Sequence, residues 1–169
     1  DARKVFDSMQ ERQVVVWTAM ISGYSLQGLC KEAFDLWKTM IDQGVKPDSI
    51  SFAVILSACA REGMVQEGGD TFINMCAFHG VAPTSEHVAC MVDLFGRSGL
   101  IQEANCLIMQ SFSLCDDVVW MSLMDACRIH GDIDMGTYAF ECAITSWPSC
   151  SQAYVVLSNM YALVGKCND

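Results

Sequence analysis

Positive charge is scarce in this chain: ten Lys and Arg stand against twenty Asp and Glu, a net charge of −10, and charged residues of all kinds make up only 18% of 169. Binding to nucleic acid without sequence preference comes mainly from Lys and Arg at phosphates, so a surface of this sign excludes a general polyanion binder. Long apolar runs are missing too. Although 52% of residues are hydrophobic, no stretch approaches the roughly 18 uncharged apolar residues of a membrane span, which implies no membrane partner. Proline occurs three times and histidine three times, and no C-x-x-C is present. Three Cys/His pairs do lie three residues apart, Cys76 with His79, His87 with Cys90 and Cys127 with His130. A structural zinc needs four converging ligands, so these pairs alone do not call for a metal.

Cysteine itself is abundant, with ten in the chain. Most sit within apolar periodic segments rather than in a short loop-rich framework, and they are expected to act as small apolar residues in a reducing compartment. The length supports one fold with a substantial core. The first residue, Asp1, falls inside an expected helix without an initiator Met, so the chain is expected to be an excerpt of something longer.

Internal repetition decides the fold class. Glycine recurs at Gly28, Gly63, Gly99, Gly131 and Gly165, at intervals of 35, 36, 32 and 34 residues. A large apolar residue keeps the same intervals at Trp17, Phe52, Val88, Trp120 and Tyr154. From the first four of these a stripe follows at i+3, i+4 and i+7: Met20, Ile21, Tyr24; Ile55, Leu56, Cys59; Met91, Val92, Phe95; Leu123, Met124, Cys127. That spacing is one face of an α-helix, and the recurring Gly just beyond it suits a helix end that needs positive φ. Five residues past the Gly stands a small residue, Ala33, Gly68, Ala104 or Gly136, which lets a second helix approach closely. Each unit therefore reads as helix, turn, helix, short connector. A lone hairpin cannot cover its apolar face, so the expected fold is all-α, an α-solenoid of stacked antiparallel helix-turn-helix repeats in a right-handed superhelix with a concave binding face.

The segments VVVWTAMISGYSLQG, EAFDLWKTMIDQGVKPD, ISFAVILSACAREGMVQEG, EHVACMVDLFGRSGLIQEA, VVWMSLMDACRIHGDIDMG and AYVVLSNMYALVGK resemble, motif by motif, plant pentatricopeptide repeat (PPR) proteins of the PLS class with E motifs, the organellar RNA editing factors. The resemblance covers the whole chain. It divides residues 1–13 as the tail of an S-type repeat, 14–48 as a P-type repeat, 49–84 as an L-type repeat and 85–116 as an S-type repeat. The first E motif follows at 117–150, and part of a second at 151–169. Two departures stand out: the proline usual near the end of the last S-type repeat is missing around Ser113 to Cys115, and Cys167 occupies a position where the family usually has Trp. A tetratricopeptide array would keep 34 residues throughout and its own Trp, Leu-Gly and Tyr pattern.

The resemblance implies sequence-specific recognition of single-stranded RNA in a mitochondrion or, alternatively, a plastid, as part of a cytidine-to-uridine editing factor. Each repeat would read one base through its fifth and last residues: Thr18 with Asp48, Ala53 with Thr84, and Ala89 with Asp116. Solenoids present equivalent positions at regular spacing, so short polar side chains can meet successive base edges. Thr18 with Asp48 resembles a guanine-preferring pair, whereas Ala53 and Ala89 carry no side-chain hydrogen bond. Asp48 also reads as a helix N-cap. The resemblance implies no cofactor, no metal and no catalysis by these residues: the H-x-E and P-C-x-x-C patterns of zinc deaminases are absent, since Val81, Ala89 and Asp132 follow the three histidines at the Glu position. A DYW-type deaminase and accessory editing factors are implied partners of the E-motif region, which gives a second reading, a protein-docking scaffold touching little RNA. Residues 1–48 carry six basic and seven acidic residues and 49–169 four and thirteen, so RNA is expected toward the amino-terminal end.

Overall fold

The computed structural model describes residues 2–9, 12–163 and 165. Among them are ten α-helices, one short 3-10 helix and no strand. They form two compact units, Asp1–Pro83 and Thr84–Asp169.

In the first unit α1 (Ala2–Ser8) precedes two hairpins, α2 (Val14–Leu26) with α3 (Cys30–Asp42), and α4 (Ser49–Glu62) with α5 (Val65–Ala77). Helix α4 packs on both members of the preceding hairpin, and α1 packs on α2. The stripe residues Trp17, Ile21, Phe52, Ile55, Leu56 and Cys59 are buried, joined from the second helices by Ala33, Trp37, Met40 and Met75. Aromatic edges tie one hairpin to the next. Phe6 meets Trp17 at 4.8 Å between ring centroids, and Trp37 of α3 meets Phe52 of α4 at 5.0 Å, both edge to face. Such pairs add about 0.5–1.5 kcal/mol beyond the area they bury. The imidazole of His79 closes the other side of Phe52 at 5.4 Å. Arg12 caps the end of α1 by donating to the carbonyls of Phe6 and Asp7 while its guanidinium lies over the Phe6 ring.

The second unit holds α6 (Ser85–Arg97) with α7 (Ile101–Gln110), the 3-10 turn Phe112–Leu114, α8 (Asp117–His130) with α9 (Ile133–Ser146), and α10 (Ser151–Leu163). Helix α8 packs on α6, α7, α9 and α10. Its stripe, Trp120, Leu123, Met124 and Cys127, is wholly buried. Close approach of α6 and α8 depends on Gly96, where a Cβ would sit 2.5 Å from that of Ala126, and Gly136 is crowded in the same way by Met160 of α10. The recurring glycines of both units have φ between 67° and 77°, the left-handed conformation expected of them.

One marker behaves differently. Trp17, Phe52, Val88 and Trp120 are buried, but Tyr154 of α10 is 51% exposed, and Ala153, Val156 and Met160 carry that helix's core face instead. Tyr154 makes an edge-to-face contact with Phe140 of α9, at 5.0 Å between ring centroids. The cysteines also divide. Cys30, Cys59 and Cys127 are buried and act as small apolar residues, while Cys76 and Cys106 lie on the surface. Desolvation, with the charge of Asp132 adding to it, pushes the Cys127 thiol up to about 12. Cys167 lies outside the described residues.

Candidate nucleic-acid interface

The last residue of each expected repeat is the N-cap of the next hairpin's first helix. Asp48, Thr84 and Asp116 stand immediately before α4, α6 and α8, each with extended backbone. Short polar side chains are favoured there because four backbone N–H groups at a helix start lack partners within the helix. The fifth residue lies one turn further in.

Asp48 is held on two sides. The Ser51 N–H donates to its Oδ1 at 2.8 Å and the Ser51 hydroxyl donates to the same oxygen, while the Asp48 N–H donates back to Ser51 Oγ at 2.8 Å. Desolvation works against its charge, but the hydrogen bonds from Ser51 and the neighbouring backbone outweigh it and hold the carboxyl below its ordinary range. Both Ser51 contacts fall on Oδ1, so Oδ2 takes part in neither. Thr18, half-buried on α2, donates its hydroxyl to the Val14 carbonyl at 2.9 Å. With its proton committed to the backbone, it offers a ligand only acceptor lone pairs. Helix α2 packs on α4, the helix that Asp48 caps.

The other positions differ. Ala53 is 4% exposed and Ala89 9%, so neither methyl group presents much surface. Thr84 is exposed; its N–H donates to Nδ1 of His87 at 3.1 Å, and its hydroxyl lies 2.8 Å from the same nitrogen. Among the described residues, Asp116 accepts only from the Val119 N–H, at 3.2 Å. Ala89 and Asp116 meet in a cleft of about 350 Å³ between α6 and α8, lined also by Glu86, Cys90, Asp93 and Val118. Three carboxylates around one opening make it unfavourable for a phosphate. The nearby arginines are engaged: Arg97 with Asp93 at 2.8 Å, Arg128 with Asp125 at 3.1 Å. Met121 lines an adjoining cleft of about 260 Å³ and is half-buried.

The second residues of α2, α4 and α8, namely Val15, Ile50 and Val118, are exposed apolar side chains beside the candidate reading positions, whereas α6 has Glu86 there. Their register, one residue after each helix start, was visible, but they lie off the stripe that marks burial. All three histidines have local contacts: His79 meets Phe52 edge to face, His87 caps α6, and His130 Nε2 lies 2.8 Å from the Gly96 carbonyl. Among the described residues no three His, Cys, Asp or Glu side chains converge on a point that could hold a metal ion.

This repeating arrangement has known counterparts. Residues 12–61 match the PPR repeat family, and residues 50–78 match the PPR repeat. Residues 12–78 carry pentatricopeptide repeats. Pentatricopeptide repeat-containing proteins of Arabidopsis thaliana are similar along nearly all of it: one is 42% identical over 168 residues, 99% of this chain and 20% of that protein. Another is 44% identical over 165 residues, covering 98% and 24% respectively. A third, whose name adds mitochondrial, is 43% identical over 164 residues, covering 97% and 29%. The chain thus spans about a fifth to three tenths of the length of these relatives. The PPR fold is shared with the crystal structure of maize PPR10, at a TM-score of 0.74 and 22% identity over 92% of this chain and 23% of that one. The PPR domain of Arabidopsis protein-only RNase P 1, solved in complex with tRNA, gives 0.70 at 15% identity over 92% and 85%.

Proposed function

We propose that this PPR segment recognises single-stranded RNA base by base, as part of a PLS-class editing factor that selects cytidines for conversion to uridine in a plant organelle. The reading rests above all on one observation: polar N-caps recur at the repeat interval, and at Thr18 and Asp48 both side chains offer acceptors. Guanine presents two donors on its Watson–Crick edge, N1–H and N2–H₂, which an acceptor pair complements, whereas adenine presents one donor and one acceptor. The division into P-, L- and S-type repeats and E motifs belongs to the same proposal, as do Ala53 with Thr84 and Ala89 with Asp116 as weaker reading pairs. A solved complex of PPR10 with an RNA element supports RNA as the ligand. Two relatives are named mitochondrial, which supports an organellar location. The segment binds and does not catalyse.

Replacing Asp48 with Asn supplies a donor and should shift preference at the facing nucleotide from G toward A by about 1–3 kcal/mol. The measurement compares, in the full-length protein, RNAs differing at that nucleotide only; equal affinity of the wild type for all four bases would leave Asp48 as a helix cap alone.

A second reading has its own support in the second unit. Residues 84–169 hold ten acidic and three basic residues, and Met109, Phe112 and Tyr138 expose apolar surface there. That surface suits docking of a DYW-type deaminase or an accessory editing factor. Loss of RNA selectivity on replacing Thr18 and Asp48, with partner binding retained, separates the two.

A further inference from the structure

We infer that the third residue of each hairpin's first helix is a positioning residue for the base-reading residue ahead of it, with Ser51 and His87 deciding which atoms of Asp48 and Thr84 face an RNA base. The inference rests on the RNA-reading proposal above and adds a residue class to it. Three members of the series occur in one chain, and they differ in kind. Ser51 is fully buried, and both its N–H and its hydroxyl hold Asp48 Oδ1. Ser51 therefore fixes one carboxylate oxygen, and with it the plane of the group, and leaves the other oxygen outside its own contacts. His87 is also fully buried, and its Nδ1 accepts from the Thr84 N–H. A ring nitrogen in that role has its lone pair toward the cap, so the Thr84 hydroxyl 2.8 Å away donates to it and turns acceptor lone pairs outward. Val119, the third member, has no polar side-chain atom, and among the described residues Asp116 is held by the Val119 N–H alone.

A restrained reading group loses less rotational freedom on meeting its base, and it cannot turn to satisfy the wrong one. Freezing a side chain before binding is worth about 0.5–1.5 kcal/mol, roughly two- to tenfold in affinity, and the gain goes to the base whose edge matches the frozen geometry. Selectivity should therefore be strongest opposite Asp48 and weaker opposite Asp116.

The test uses the full-length protein and pairs of RNAs differing by G or A at the nucleotide facing Asp48. Wild type is expected to prefer G about tenfold or more. Ser51→Ala should lower that ratio about threefold, Ser51→Thr should keep it, and Ser51→Ala should change nothing further once Asp48 is Ala. A purely structural role would alter melting temperature and affinity for both RNAs alike, leaving the ratio unmoved. Val119→Thr, which adds a hydroxyl at the unrestrained position, should raise discrimination opposite Asp116 about threefold. If wild type discriminates and Ser51→Ala and Val119→Thr leave both ratios unchanged, the positioning role is overturned while base reading stands. If wild type shows no preference opposite Asp48, base reading itself fails and this inference with it.

Discussion

The two units solve the same joint with different chemistry. In the first, Arg61 near the end of α4 donates to the Ser25 carbonyl at 3.1 Å and to the Ser25 hydroxyl at 2.6 Å, closing the end of α2. In the second, His130 at the end of α8 reaches the Gly96 carbonyl near the end of α6 at 2.8 Å. Ser25 and Gly96 are both the twelfth residue of their helix, so one backbone position is capped by the next hairpin in both units. The amino-terminal ends differ as well, Asp48 in a reciprocal box and Asp116 with a single backbone partner. The repeat specifies where a partner must stand. It leaves open which side chain supplies it, and so joints of one shape can differ in strength and in response to solvent.

The largest test of independence between the units is a core truncation. Trp120→Ala should destabilise the second unit by about 3–5 kcal/mol, the usual cost of deleting a buried indole. Because stacked repeats draw their stability from nearest neighbours, native-state hydrogen exchange should show lost protection in α8 and α9 with protection in α2 retained. Equal loss in α2 would mean that the chain unfolds as one body. A finer test compares the caps. Asp48→Ala and Asp116→Ala should each cost about 0.5–2 kcal/mol by urea denaturation, with Asp48 the larger because its box is reciprocal. The reverse order would show that the Ser51 contacts add nothing to the fold. The smallest effect is a pH dependence. Asp48 has its carboxyl held below the ordinary range, so its stabilisation is complete above an unfolded carboxyl pKa of about 4 and is lost as pH falls through the lower folded value. The melting-temperature gap between wild type and Asp48→Asn should narrow on acidification; a gap unchanged down to pH 2 would contradict the shift.

Much of this was legible beforehand, because the features concerned are local. The stripes from Trp17, Phe52, Val88 and Trp120 report helices through a spacing of three and four residues, and the glycines report their ends through a backbone conformation other residues resist. Pairings one repeat apart were not legible. Nothing in the identity of His130 or Arg61 announces a carbonyl some 34 to 36 residues earlier. The box at α4 was within reach, since Asp48 and Ser51 have the spacing of N-cap and third residue. At α6 the same place is held by His87, which no Glu or Gln rule would find. The connector lacking proline is closed by Cys115: its thiol donates to the carbonyls of Ser111 at 3.3 Å and Ile108 at 3.7 Å, and desolvation, with the nearby Asp116 charge, pushes it up to about 11.

The bonds from Arg61 to Ser25 and from His130 to Gly96 span 36 and 34 residues, one repeat each. A tie of that length treats the neighbouring hairpin as interchangeable with any other that offers a carbonyl at its twelfth residue. Excising or duplicating a whole repeat would therefore keep such a tie wherever the new neighbour also supplies a donor at the end of its first helix. Arrays built this way can lengthen and shorten by unequal crossing-over without first losing their fold, so the number of repeats can drift faster in evolution than the architecture they build.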